Sequence, residues 1–248
     1  MKKKLLAAGA VVFWIIVWQI AAMAVGKSLL LASPVEVVER LASLVRDQQF
    51  WQSILYSTSR IMLGFICGMT TGVIFAVLAG KFVFFEKLFA PLISAVKAVP
   101  VASFTILALI WVTSAQLSVL ITFLIAVPIA YSNIFEGIRS LDGKLTVMAD
   151  IFRVSASRRF VGIYLSQVMP HFRSAAKLAV GMCWKSGVAA EVIGIPKGSI
   201  GRELYNSKVY LETADLFAWT LVIIILSIIT EKLFLLIVDL IVRRIEKL

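Results

Sequence analysis

The sequence predicts an all-α integral membrane protein, one transmembrane domain over residues 1–248, with six membrane-spanning helices and both termini in the cytoplasm. Three observations carry this expectation. Hydrophobic residues make up 60% of the chain and charged residues 16%, against about a quarter charged in soluble domains. The apolar residues gather into runs near the roughly 20 residues needed to cross a bilayer. The basic residues fall unequally between alternate connections. A net charge of +11 does not imply nucleic acid, because no basic cluster with interleaved aromatics stands in a polar context.

The expected spans are about 5–25, 56–79, 84–112, 117–136, 170–193 and 216–241, the third interrupted by Pro100. Placing the N-terminus inside puts Lys2, Lys3, Lys4, Lys81, Lys87, the seven bases from Arg139 to Lys177, Arg243, Arg244 and Lys247 on the inner side. Lys27, Arg40, Arg46, Lys197, Arg202 and Lys208 fall outside, which is fifteen against six. The opening run, about 20 apolar residues after three lysines, exceeds a signal-peptide core and lacks an A-x-A-like end, so it is read as a membrane helix.

Between the first two spans, Ser33-Pro34-Val35-Glu36 has the form of an N-cap, a proline in the first turn and a capping-box glutamate. A short amphipathic helix on the outer surface follows over 34–47, with Val35, Val38, Leu41, Ala42 and Val45 on its apolar face. In the second span Gly64, Gly68 and Gly72 recur every four residues, a register that lets another helix approach closely. Cys67 and Cys183 both lie in apolar runs and are expected as packed thiols, not a disulfide. Gly26-Lys27-Ser28 resembles the end of a phosphate-binding loop. Ala21 stands where that motif needs glycine, and no strand precedes it.

His171 is the sole histidine, which excludes histidine-based metal clusters. No HExxH, paired aspartates or Ser/His set is present. No catalytic, metal-ligating or cofactor-binding residue is therefore assigned. Lys97 and Lys185 are ionisable residues set deep in spans, a costly placement usually reserved for a bundle interior or wet cavity. They fit a positive pathway for an anionic solute. They also fit pairs with an internal acid such as Glu191, or snorkelling, Lys97 more so than Lys185. Glu191, at the outer end of span five, suits a gate, a partner contact or a structural ion pair.

The late segment 144–160 reads as one amphipathic helix. Leu145, Met148, Ala149, Phe152 and Ala156 share one face, and Thr146, Asp150, Arg153 and Ser157 another. Spacing fits a membrane-surface helix and a helix docking in a partner's groove equally well.

Several patches together resemble the permease subunits of bacterial ABC importers of the nitrate/sulfonate/taurine group, whose fold is of the type I importer kind. They are Leu31-Ala-Ser-Pro-Val-Glu-Val-Val38, Ser59-Arg60 with Gly64-Phe65, Ala90 through Pro100 to Trp111, and Ala189-Ala-Glu191 followed by Gly198-Ser-Ile-Gly201. Such permeases carry a cytoplasmic EAA-type motif. Here Ala149 matches its second alanine, and Ile163 and Leu165 its Ile-x-Leu. Val147, Met148 and Arg153 replace glutamate, alanine and glycine, and Ser166 stands for a proline. The group's second proline falls on Pro170.

The resemblance implies a coupling segment over 144–166, with Leu145, Met148, Ala149, Asp150, Phe152, Arg153, Ser155 and Ala156 facing the partner and Ile163 to Pro170 as the turn into span five. It implies a second permease copy, a cytoplasmic ATPase dimer carrying ATP and magnesium, and an extracytoplasmic binding protein. The setting would be a bacterial inner membrane, and the pathway residues Lys97, Pro100, Lys185 and Glu191. A stand-alone secondary transporter or channel is the other class considered. It would need intramembrane acids placed for ion coupling, which are few, and leaves the long basic inner segment unexplained.

Overall fold

In a bilayer each backbone amide and carbonyl must find a partner inside its own segment, so long apolar runs become helices. The computed structural model describes residues 2–245, with the side chains of 2–5, 7, 8 and 245 excluded. Lys2, Lys3, Lys4 and Lys247 of the charge count therefore lie outside the described side chains. The helices are α1 (Lys2–Val25), α2 (Pro34–Leu44), α3 (Gln48–Lys81), α4 (Val83–Ala98), α5 (Val101–Ala108), α6 (Ser114–Arg139), α7 (Gly143–Ile151), α8 (Ala156–Arg159), α9 (Ser166–Gly194), α10 (Ile200–Val209) and α11 (Thr213–Ile245). A π-helical segment, Phe160–Leu165, joins α8 to α9. No strand occurs among the described residues.

Gln48–Lys81, Ser114–Arg139 and Thr213–Arg244 are each long and apolar enough to cross a membrane. Helices α4 and α5 form a fourth span if taken as one, bent by 98° at their break. Pro100 causes that break. It has no N–H to continue the ladder and forces the residue before it out of helical geometry; Val99 is extended, at φ −72° and ψ 126°. Helix α9 is 29 residues long, but Arg173, Lys177, Lys185 and Glu191 make it less apolar than the others.

The core is the packing of α6 between α3 and α9. A Cβ at Gly64 would lie 1.9 Å from Thr122 Oγ1, one at Gly68 2.6 Å from Ala126 Cβ, and one at Gly72 2.5 Å from Ala130 Cβ. Backbone carbonyls of Val119, Phe123 and Val127 lie as close, at 2.4–2.7 Å. Glycines on α3 thus meet small residues spaced four apart on α6. Gly187 of α9 seats against Ile61 and Thr122 in the same way. Ala175, Ala176, Ala179 and Cys183 continue the buried small-residue face of α9. Helix α11 closes the side, with Trp184 Nε1 donating to Thr230 Oγ1 at 2.8 Å and Phe65 edge-on to Phe234.

Helix α2 has the expected capping box: Ser33 Oγ accepts from the Glu36 amide and Glu36 Oε2 from the Ser33 amide. It also has a face buried against the bundle. Val37, with Leu41 and Leu44, packs toward Ala218 and Phe217, while Val35, Val38 and Val45 are exposed. The reason is electrostatic. Arg40 forms a two-pronged ion pair with Asp215 at the start of α11, its second prong 2.8 Å long, and this turns the 37/40/44 face inward. The hydrogen bond to Asp215 raises the Arg40 pKa above its ordinary value. A raised cation stabilises the fold below its unfolded pKa and ceases to do so only as pH climbs through the folded one. The clamp is therefore constant across the neutral range.

Three expectations are corrected. Cys183 is buried, but Cys67 faces outward, because Gly64, Gly68 and Gly72 claim the inward side of α3. The 144–160 stretch is not one helix; it breaks at 152–155 between α7 and α8. Ile163 to Pro170 is not a turn but continuous helix, π then α. Pro170 removes one amide and crowds the carbonyl four residues back, and the wider π turn before it keeps the chain helical.

The glycine contacts give a sharp test. Gly68→Val or Gly72→Val drives a side chain into backbone and costs at least ~1–3 kcal/mol, seen as a lower thermal unfolding midpoint in detergent. Gly181→Ala, with nothing within 4 Å of the added Cβ, does not lower the midpoint, and alanine's better helix propensity should raise it slightly.

Candidate functional site

Three groups of residues are candidates for the site: the α7 elbow, the two lysines Lys97 of α4 and Lys185 of α9, and a buried carboxylate at the opposite end from α7.

The elbow starts at Asp142, the N-cap of α7, whose side chain accepts from the Lys144 amide at 2.8 Å. The Asp142 amide donates to Gln167 Oε1 of α9 at 3.0 Å. Helix α7 ends in a Schellman motif: the Val154 amide bonds the Ala149 carbonyl at 2.9 Å and the Arg153 amide bonds the Asp150 carbonyl at 3.1 Å. This closure requires a left-handed residue, normally glycine. Arg153 fills it at φ 51°, and it occupies the position where the EAA-type motif has glycine. Arg159 then ties α8 to α7, bonding the Thr146 carbonyl at 3.0 Å and pairing with Asp150. The two helices form one braced elbow rooted in α9.

Its apolar residues are not consumed by the fold. Ala149 alone on α7 is buried, whereas Met148 is 52% exposed, Phe152 72% and Ile151 72%. Leu145 is partly exposed, and Ser155 and Ala156 are exposed in the link to α8. Of the residues expected to face a partner, Asp150 and Arg153 hold the elbow's own shape.

Lys97 is in the last turn of α4, just before Pro100, and donates from Nζ to Ser132 Oγ of α6 at 2.7 Å. Lys185 is exposed on α9 with no hydrogen-bond partner among the described residues. Neither lysine pairs with Glu191. At the break lies a small apolar cavity of about 160 Å³ lined by Val96, Val99, Phe104 and Ile121 among others.

Glu191 is fully buried. Its Oε2 accepts from Ser57 Oγ of α3 at 2.7 Å and from the Gly201 amide at 3.2 Å. Ser57 Oγ in turn accepts from the Ile200 amide at 2.9 Å. The first amides of α10 are thereby fastened to α3 and α9. A Cβ at Gly201 would stand 2.3 Å from Glu191 Cβ, so glycine is needed for that approach. The other carboxylate oxygen and Ser118 Oγ are buried without partners. Sequence reasoning singled out Glu191 but not Ser57, Gln167 or Arg159. The Asp142-Gly143 pair before an apolar run is a helix-start signal that could have found the cap; no comparable local signal marks the other three.

Long apolar helices, a pair of them sharply bent at a proline, and a projecting elbow are the architecture of a membrane protein. Residues 68–247 match the family described as binding-protein-dependent transport system inner membrane component, and the chain belongs to it. It is similar to a putative aliphatic sulfonates transport permease protein of Bacillus subtilis, with 26% identity over 88% of this chain and 79% of the relative. It is also similar to a taurine transport system permease protein of Escherichia coli (24%, covering 86% and 80%) and a nitrate import permease protein of Synechocystis (23%, covering 82% and 78%). These matches make it an ABC importer permease of the nitrate/sulfonate/taurine type.

If the left-handed position at the elbow is conformational rather than chemical, glycine should suit it better than arginine. Arg153→Gly is expected to stabilise the α7 terminus by about 1 kcal/mol, raising amide-exchange protection at Phe152 to Val154. Arg153→Val should lower it.

Proposed function

We propose that this chain forms half of the substrate pathway of an ATP-driven importer for a small anion such as a sulfonate or a nitrate-like nutrient. The single observation that carries the reading beyond family membership is the elbow. Its apolar residues stand exposed while Gln167 fastens its start to α9 and Arg159 ties α8 to α7. A helix that is rigidly attached to a span and apolar on its free side suits a lever seated in a partner's groove. The partner is a cytoplasmic ATPase dimer that holds ATP and magnesium. When it closes, the elbow tilts α9, and two permease copies change which side of the membrane is open. Energy enters by differential contact with two conformations, with no chemistry in this chain.

In this arrangement the chain is a single six-span domain of a bacterial inner membrane, with both termini and the elbow on the cytoplasmic side. Helices α1, α3, the α4–α5 pair, α6, α9 and α11 are the spans. Helix α2 lies on the outer surface, where an extracytoplasmic binding protein delivers the solute. Lys97 and Lys185 give the pathway a positive potential, Pro100 shapes it, and Glu191 holds its outer end by fixing α10. The anion class rests on those two lysines and on the names of the similar permeases.

Affinity purification from the native membrane should recover a P-loop ATPase and a binding protein, and ligand bound to the latter would identify the solute. Recovery of a lone transporter active without ATP would overturn the reading. Ala149→Asp and Phe152→Asp should abolish ATPase capture and uptake while leaving membrane insertion intact; unchanged uptake would remove the elbow from the mechanism. Lys185→Ala should depress uptake of an anionic solute more than of a neutral analogue. Equal effects on both would refute a role in charge selection.

A further inference from the structure

The tight packing of α3, α6 and α9 does not run their full length. Towards the α7 end the glycine register thins out. Gly80 meets Ile138, Gly137 meets the ring of His171, and the helices part around bulky side chains. A cavity of about 1080 Å³ opens there between α3, α6, the π segment, α9 and α11. Its wall is almost wholly apolar: Val77 from α3, Ile138 from α6, Phe160 and Tyr164 from the π segment, and Val238 from α11. Lys81, the last residue of α3, is the charged side chain on its lining. Lys81 has no ion-pair partner among the described residues; its Nζ rests 5.2 Å from the Phe82 ring centroid. Arg243 and Arg244 follow Val242, another lining residue, at the end of α11.

We propose that this cavity is a binding site for an anionic phospholipid. One acyl chain would enter between α3 and α11, and the phosphate headgroup would sit at Lys81. The size exceeds that of ordinary small-molecule pockets, and the apolar lining with a single convergent charge is their usual chemistry. A void of this extent costs stability if left empty, and the surrounding solvent in a membrane is lipid. A methylene that moves to such a wall from water gains the full hydrophobic contribution, but one that moves from lipid gains nearly nothing. Selectivity must therefore come from the headgroup, and basic sites between helices at a membrane boundary hold acidic ones. The π segment forms part of the wall, so bound lipid would brace the junction where α8 passes into α9. The site is independent of which solute the protein carries.

The test is native mass spectrometry of the full chain extracted from vesicles of equal phosphatidylglycerol and phosphatidylcholine. Phosphatidylglycerol should be retained about fivefold over phosphatidylcholine, the factor for one lysine near an anionic surface. Lys81→Ala should equalise the two. Val77→Trp and Met169→Trp, which fill the cavity from different walls, should each remove the retained lipid; two variants guard against one failing to fold. Equal retention of both lipids by the parent chain overturns the proposal, as does retention that survives either filled variant. Efficient disulfide cross-linking between copies through Tyr164→Cys and Val238→Cys would make the occupant a second copy and overturn it as well.

Discussion

Contact between backbones at the α3–α6 seam is the constraint on which the rest of the structure depends. Lipid gives two apolar helices no solvophobic reason to associate, so dispersion at close range has to hold them. Gly64, Gly68 and Gly72 bring the carbonyls of Val119, Phe123 and Val127 within side-chain distance of α3. That contact fixes rotation as well as separation: once the glycines point inward, Cys67 must point outward, and Ser57, two turns earlier on α3, must face α9. The buried carboxylate of Glu191 then has a hydroxyl to bind, and α10 has an anchor for its first amides. A wider seam would leave these polar groups unmatched in a medium that offers no water.

The same constraint explains why the two ends differ. Where small residues persist, at the α10 end, the helices close around the Ser57–Glu191 hydrogen bond. Where Ile138, His171 and Phe172 replace them, the bundle opens and the chain changes helical pitch before Pro170. The elbow is attached at this looser end. Its own stiffness comes from Arg159, Asp150 and Gln167 rather than from core packing, which leaves Met148, Ile151 and Phe152 exposed. The elbow thus joins α9 at the end of the bundle away from the glycine seam.

Much of this could be read from local sequence. The Ser33–Glu36 box, the break at Pro100 and the register of glycines all depend on residues within one or two turns of each other. The parts that could not be read depend on partners far away in the chain. The inward face of α2 is fixed by Asp215, 175 residues from Arg40, so an apolar stripe drawn from α2 alone could not show that Val37 packs against the bundle. Glu191 is matched by Ser57, 134 residues away, and an isolated serine in a helix carries no sign of its use. The break at 152–155 is intermediate. An arginine in place of glycine hides a left-handed turn whose hydrogen bonds are nonetheless complete.

The right-angled break between α4 and α5 leaves a mark that needs no comparison with other proteins. Pro100 offers no amide, and Val101, Ala102 and Ser103 open a helix whose first amides have no partners within it. Hydrocarbon cannot satisfy such groups, so irregular backbone at membrane depth exists only against protein or water. Were the bend to lie at membrane depth, the surface around Val99 would have to face protein or water and not lipid. A single copy with that bend at membrane depth would pull a wet, thinned patch of bilayer toward it, and covering or hydrating the bend would relieve that defect.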